Sequence, residues 1–158
     1  MQCRFKHGFG AMAIAALLAS MAVTAAAQDA TKPQHASVQV SKKDRIGAYL
    51  TDGKGMSLYM FEKDGPNHST CHDDCARAWP PLLTQGAPGA GAEVDKSKLA
   101  TIKRPDGTTQ VTYAGMPLYY YAKDTAPGEV KGQDVEEFGA DWYLVSPDGK
   151  PNEAEDND

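Results

Sequence analysis

Apolar positions fall into three regimes along the chain. Residues 11–23 form an apolar run broken only by Ser20. From about residue 46 to residue 146, short apolar bursts alternate with turns rich in glycine and proline. Residues 28–44 and 150–158 are mostly polar, and both are expected to be flexible, because little apolar surface is available there to offset the entropy of ordering. In the middle regime, Tyr49-Leu50-Thr51 leads through Asp52-Gly53-Lys54-Gly55 into Met56–Phe61. Val111-Thr112-Tyr113 leads through Ala114-Gly115 into Leu118–Tyr121. β-Branched and aromatic runs around glycine turns predict two β-hairpins. Alternation puts Leu58 and Met60 on one face of the strand and Tyr59 and Phe61 on the other. Both faces are apolar, so both are expected to be covered. Further strands are predicted over Ala100–Lys103 and Trp142–Ser146, with turns at Pro105-Asp106-Gly107 and Pro147-Asp148-Gly149. The segment TQGAPGAGAEVDKS, residues 84–97, reads as a long loop.

The two hairpins are copies. GMSLYMFEKD, Gly55–Asp64, aligns with GMPLYYYAKD, Gly115–Asp124, at a constant offset of 60 residues. A tryptophan follows each copy, Trp79 and Trp142. The predicted fold is mainly β, with two repeated β-hairpin units forming antiparallel sheets and one short disulfide-closed helix. Repeat 1 is placed at about 46–83 and repeat 2 at about 99–149, inside one domain over 45–149.

The N-terminus changes the picture of compartment. Arg4 and Lys6 precede the apolar run, and TAAAQ follows it. A basic head, a short apolar stretch and a small-residue site predict a secretory signal peptide over residues 1–27, cleaved after Ala27. The alternative is an uncleaved N-terminal anchor, although a spanning helix needs about 20 apolar residues. Cleavage removes Cys3 and leaves Cys71 and Cys75, an even count in an oxidising compartment, which points to a disulfide. It also shifts the net charge from −5 to −7, because the first 27 residues carry two basic residues and no acid. So acidic a protein is expected to bind no nucleic acid and to repel anionic membrane. No membrane span is expected after cleavage.

Y-x-[aromatic]-x-x-D occurs in both copies, at Tyr59, Phe61 and Asp64 and at Tyr119, Tyr121 and Asp124. With C-x-x-x-C-A-x-x-WPPL after the first copy and R-x-DG-x-x-QVTY before the second, the chain resembles the secreted-repeat family of bacterial exported proteins and lipoproteins. The resemblance covers residues 46–149. It implies export but no activity, since no biochemical function is established for that family. The lipoprotein members carry a cysteine at the cleavage site and this chain does not. That departure from the family pattern points to a soluble periplasmic protein, with an extracellular location as the alternative.

The densest chemistry is HSTCHDDC, His68 to Cys75. Haem attachment needs C-x-x-C-H and a thioredoxin-like centre needs C-x-x-C; neither spacing is present. On one continuous helix, His68 and Cys75 would lie roughly 10 Å apart along the axis, too far for four ligands to surround one zinc ion. His68 and His72 alone, one turn apart, are candidates for copper or zinc. The simplest reading is a staple. Ser69 or Thr70 caps a short helix, Asp73 and Asp74 favour its first turn, Pro80-Pro81 ends it, and Cys71 bonds Cys75.

Asp64 and Asp124 each end a strand ahead of a turn, where a carboxylate can accept backbone N–H bonds. The sharper alternative is a cation site drawing on Asp64, Asn67, Ser69 and Asp73. Tyr59, Tyr113, Tyr119, Tyr120 and Tyr121, with Trp79 and Trp142, either fill a core or line an aromatic ligand groove. Arg104 can stack on an aromatic ring or pair with Asp106. No phosphate loop or nucleophile elbow appears, and no catalytic residue is assigned. The expected function is therefore a non-enzymatic periplasmic binding or interaction module for a small ligand or an envelope protein, without cofactor. A copper- or zinc-binding protein and a thiol–disulfide redox protein are the alternatives.

Overall fold

A computed structural model describes residues 35–153. The signal-peptide segment lies outside the described residues. The expected class is observed: small β-sheets and one short helix closed by a Cys71–Cys75 disulfide with Cα atoms 5.2 Å apart. No helix among the described residues is long and apolar enough to cross a membrane.

Two hairpins open the two halves. Strands β1 (Ser37–Lys43) and β2 (Gly47–Asp52) pair antiparallel, with Val40 opposite Leu50. The chain then runs through β3 (Tyr59–Phe61), α1 (Asp74–Ala78) and β4 (Gly89–Ala90). The second hairpin, β5 (Leu99–Lys103) and β6 (Thr109–Tyr113), sets Thr101 opposite Val111. Both pairs of opposed residues are therefore related by the same shift of 61. Its turn is built as the sequence predicts: Asp106 accepts from the Thr108 N–H and hydroxyl, and Gly107 takes φ +83°. The chain ends with β7 (Met116–Pro117), β8 (Val135–Glu137) and β9 (Ala140–Leu144).

The halves are interleaved rather than side by side. β3 pairs antiparallel with β9, so that Phe61 faces Trp142. The corresponding strand of the second half, around Tyr119, pairs with the segment after α1. There the Leu82 N–H donates to Leu118 O, the Tyr120 N–H to Pro80 O, and the Ala122 N–H to Ala78 O. Each motif strand thus takes its neighbour from the tryptophan segment of the other half. At the centre the two motif strands touch: Tyr59 N–H donates to Tyr119 O at 2.8 Å and Tyr119 N–H to Tyr59 O at 2.9 Å. This reciprocal pair defines a local twofold between the repeats.

Alternation along the motif strands separates two cores, as the hydrophobic pattern requires. Leu58, Met60 and Leu118 join Val38, Leu50, Leu82, Val111 and Val145 in an aliphatic core. Tyr59, Phe61, Tyr119 and Tyr121 join Trp79, Trp142 and both cysteines in an aromatic one.

Three expectations are corrected. Residues 37–43, read as part of a flexible segment, form β1, because β2 supplies backbone partners and Val38 is fully buried. The tail is tied down through residue 152. The buried Asn152 donates its N–H to Leu144 O and its Nδ2 to Ala48 O, and its carbonyl accepts from Gln133. Residues 154–158 lie outside the described residues. The helix is shorter than expected and begins after Asp73, not at Ser69 or Thr70. Those two hydroxyls have other partners, described below.

Replacing Asn152 with alanine removes the Nδ2 bond and leaves Ala48 O without this partner, while the backbone bonds to Leu144 and Gln133 remain. It is expected to lower the unfolding free energy by about 1–3 kcal/mol, read from urea denaturation. An unchanged midpoint would show that the Asn152 side-chain bond contributes nothing to the fold.

Candidate functional site

The repeated motif residues converge across the local twofold. The Tyr59 hydroxyl donates to Asp124 Oδ2 at 2.6 Å, and the Tyr119 hydroxyl donates to Asp64 Oδ2 at 2.5 Å. Each tyrosine therefore bonds the aspartate of the other repeat. The second oxygen of each aspartate holds its own downstream loop. Asp64 Oδ1 accepts from the Thr70 N–H and hydroxyl, and Asp124 Oδ1 accepts from the Lys131 N–H. All four side chains are buried.

Beside them four rings form one stack. Phe61 lies on Trp142 at 4.1 Å, Trp142 on Trp79 at 4.0 Å, and Trp79 on Tyr121 at 4.0 Å. Tyr59 meets Trp79 edge-on and Tyr119 meets Trp142 edge-on. The order again crosses the repeats, since Phe61 stacks on the second tryptophan and Tyr121 on the first. The indole N–H of Trp79 donates to Glu137 Oε2, and that of Trp142 to Glu137 O. Gly132 is required by close approach. A Cβ there would lie 2.8 Å from the Trp79 ring and 2.9 Å from the Tyr59 ring, and its N–H donates to the Tyr59 hydroxyl.

Arg104 fastens the cysteine loop. Its side chain is 3% exposed. Nη1 donates to Ser69 Oγ and Gln110 Oε1, and Nη2 donates to Cys71 O. Ser69 Oγ also bonds the Tyr119 hydroxyl, so polar contacts run from Arg104 through Ser69 and Tyr119 to Asp64. Lys43, which the 61-residue shift carries onto Arg104, does the same for the other half by donating to Gly128 O.

A family model described as a secreted repeat of unknown function matches residues 40–83 and again residues 100–146. The chain belongs to that family. The two matched segments are the two interleaved halves, each containing one motif strand and one tryptophan segment, apart from the first strands' opening residues. No curated protein and no solved structure matches the chain. A secreted family agrees with the export expected from residues 1–27.

In this secreted repeat, the eight motif positions singled out from the sequence, Tyr59, Phe61, Asp64, Trp79, Tyr119, Tyr121, Asp124 and Trp142, are brought together and all are buried. His68 and His72 stand apart from them. Both border a cleft of about 320 Å³ next to Ile102 and Arg104. His68 is exposed, and His72 Nδ1 lies 3.4 Å from Arg104 Nη2. That guanidinium places a positive charge beside one of the two imidazoles. Among the described residues, no three His, Cys, Asp or Glu side chains gather where they could hold one ion. Of the oxygens considered for a cation, Asp64 is bonded to Thr70 and Tyr119, and Ser69 accepts from Arg104. Arg104 does meet Asp106, with Nε 4.0 Å from Oδ2, but its closer bonds run to Ser69, Gln110 and Cys71.

Sequence reasoning missed Gly132, Glu137 and the clamping role of Arg104. The repeat itself held a signal for Arg104: the shift of 61 aligns it with a second basic residue at the end of a first strand. Nothing in the sequence marks Gly132, whose constraint comes from rings more than 50 positions away.

Burial raises the pKa of the Tyr59 and Tyr119 phenols above the ordinary tyrosine value, and the paired carboxylates add to the effect. Tyr120, bonded to Asp52, is raised for the same reasons. Folded values above the unfolded one mean that these contacts stabilise fully below about pH 10 and are lost as pH rises through the folded values. Tyrosinate absorbance should therefore show Tyr59, Tyr119 and Tyr120 protonated above about pH 10 while circular dichroism still reports the fold, and ionising with its loss. Ionisation of all seven tyrosines in a still-folded protein would contradict the buried pairs.

Proposed function

We propose that this secreted repeat is an exported, non-enzymatic interaction module of the periplasm. One observation carries the reading: the chemistry-bearing residues of both motifs are directed at each other. A catalytic carboxylate or phenol must reach a substrate. Asp64, Asp124, Tyr59 and Tyr119 instead hold loops and cross the repeat boundary. The aromatic rings stack on one another. Clefts lie elsewhere, along Arg104 and between residues 81–85 and 103–109. The buried network reads as a rigid scaffold, and the partner, a small ligand or an envelope protein, meets the loops and edges that it positions.

A thiol–disulfide activity needs a sulfur open to attack. Cys71 is fully buried and Cys75 nearly so, which supports a structural bond. The Cys71 carbonyl is also fixed by Arg104.

Mature protein is expected to show no turnover of ester, phosphate, peptide or disulfide substrates. Turnover that disappears in a folded Asp124→Asn variant would overturn the reading.

A second reading is favoured by the cleft that His68 and His72 share: binding of copper or zinc. It predicts saturable uptake of Cu²⁺ or Zn²⁺ by dialysed protein, lost when both histidines are replaced by alanine. Titration without saturation removes it.

A further inference from the structure

The two halves differ in how they finish their outer strand. β1 has two neighbours, β2 on one side and the parallel β4 on the other. The Gly89 N–H donates to Ala36 O and the Gly91 N–H to Val38 O. β5 is the counterpart of β1 at the shift of 61, yet it pairs only with β6 among the described residues. Ala114 N–H donates to Lys98 O and Arg104 N–H to Thr108 O. Backbone groups of even-numbered residues therefore turn onto β6, and those of Thr101 and Lys103 turn away. The Leu99 N–H closes onto Lys96 O, which leaves its carbonyl facing outward. A five-residue edge with free donors and acceptors is a template for another strand.

The edge also carries a charge opposite to that of the whole protein. Lys96, Lys98 and Lys103 flank it, and none has a carboxylate within 4.0 Å among the described residues. Lys98 and Lys103 donate to neutral oxygens, Asp148 O and Thr109 Oγ1. Lysines on an edge oppose pairing with a second copy of the same edge, because like charges meet. They favour an acidic strand. Residues of an added strand beside Ile102 would project into the cleft bordered by Arg104, His68 and His72. Side chains are admitted as well. On β1, a Cβ at Gly91 would come within 2.9 Å of Gln39, whereas the counterpart of Gln39 on β5 is the smaller, exposed Ala100.

We infer that the outer edge of β5 docks an extended acidic segment of a partner protein by strand addition. Backbone bonds at Leu99, Thr101 and Lys103 set its register, and the flanking lysines select its charge. This names a partner class for the proposed interaction module, and it rests on that reading.

The test uses the mature protein, a capped peptide of alternating glutamate and valine, and its lysine counterpart. Hydrogen exchange followed by NMR reads the amides one by one. The glutamate peptide is expected to slow exchange at Thr101 and Lys103 while leaving Ala100 and Ile102, already bonded to β6, unchanged. The lysine peptide should leave all four amides unchanged. Thr101→Pro removes the central outward N–H, a substitution an edge strand accepts. Both it and the double change Lys98→Glu with Lys103→Glu should weaken binding by more than about tenfold. Protection by neither peptide, protection by both alike, or protection without peptide through self-association would each overturn the inference. Such a failure leaves the turnover result untouched, and turnover would sink the non-enzymatic reading without changing the exchange data.

Discussion

Two buried phenol-to-carboxylate bonds, Tyr59 to Asp124 and Tyr119 to Asp64, constrain everything else in this molecule. A carboxylate removed from water is costly unless its oxygens are bonded, and a bond to a charged group contributes about 1.5–3 kcal/mol net. Each aspartate meets that requirement with one oxygen on its own loop and one on the other repeat. Neither repeat can satisfy its aspartate alone. The motif therefore acts as a joint, and the interleaved strands and four-ring stack follow from bringing the two copies face to face. The Trp79 and Tyr59 rings leave no room for a side chain at Gly132, so the joint also dictates the path of a loop that contains no motif residue.

Around this symmetric centre the halves meet the same need with different chemistry. The loop after Asp64 is closed by a disulfide and clamped by Arg104. The loop after Asp124 has no cysteine. There the Glu129 carboxylate accepts from the Thr125 and Ala126 N–H groups and pairs with Lys131. Those contacts, led by Lys131, hold its pKa down to about 2. That stabilisation is complete above the usual glutamate value and disappears only as pH falls toward about 2. Divergence is thus concentrated in loops and outer strands, where symmetry is not enforced by burial, and that is where a partner can be recognised.

Much of the interior was legible in the sequence because it depends on local period. Strict alternation over Leu58–Phe61 foretold two covered faces, and the two faces lie in two different cores. The Pro105-Asp106-Gly107 turn and the cysteine pair four apart were likewise local matters of geometry. β1 was missed because only Val38 and Val40 mark it as apolar, and its order comes from a backbone ladder supplied by β2. β8 was missed because its hairpin turn uses Phe138 and Gly139, both at positive φ, and a phenylalanine gives no turn signal. The helix start was misplaced because Ser69 and Thr70, good caps by type, bond instead to Tyr119, 50 residues on, and to Asp64, six residues back.

By itself the sequence determined the repeat, its two motif strands, the buried alternation and the bond between Cys71 and Cys75, since each shows in self-similarity or in spacings of a few residues. Only the tertiary structure decided that Tyr59 serves Asp124 and not Asp64, that each tryptophan segment lies against the other repeat, and that β5 keeps an open edge. Two identical motifs leave within-repeat and between-repeat pairing indistinguishable in sequence. The choice is made by desolvation, which demands that both carboxylates be satisfied in one shared interior.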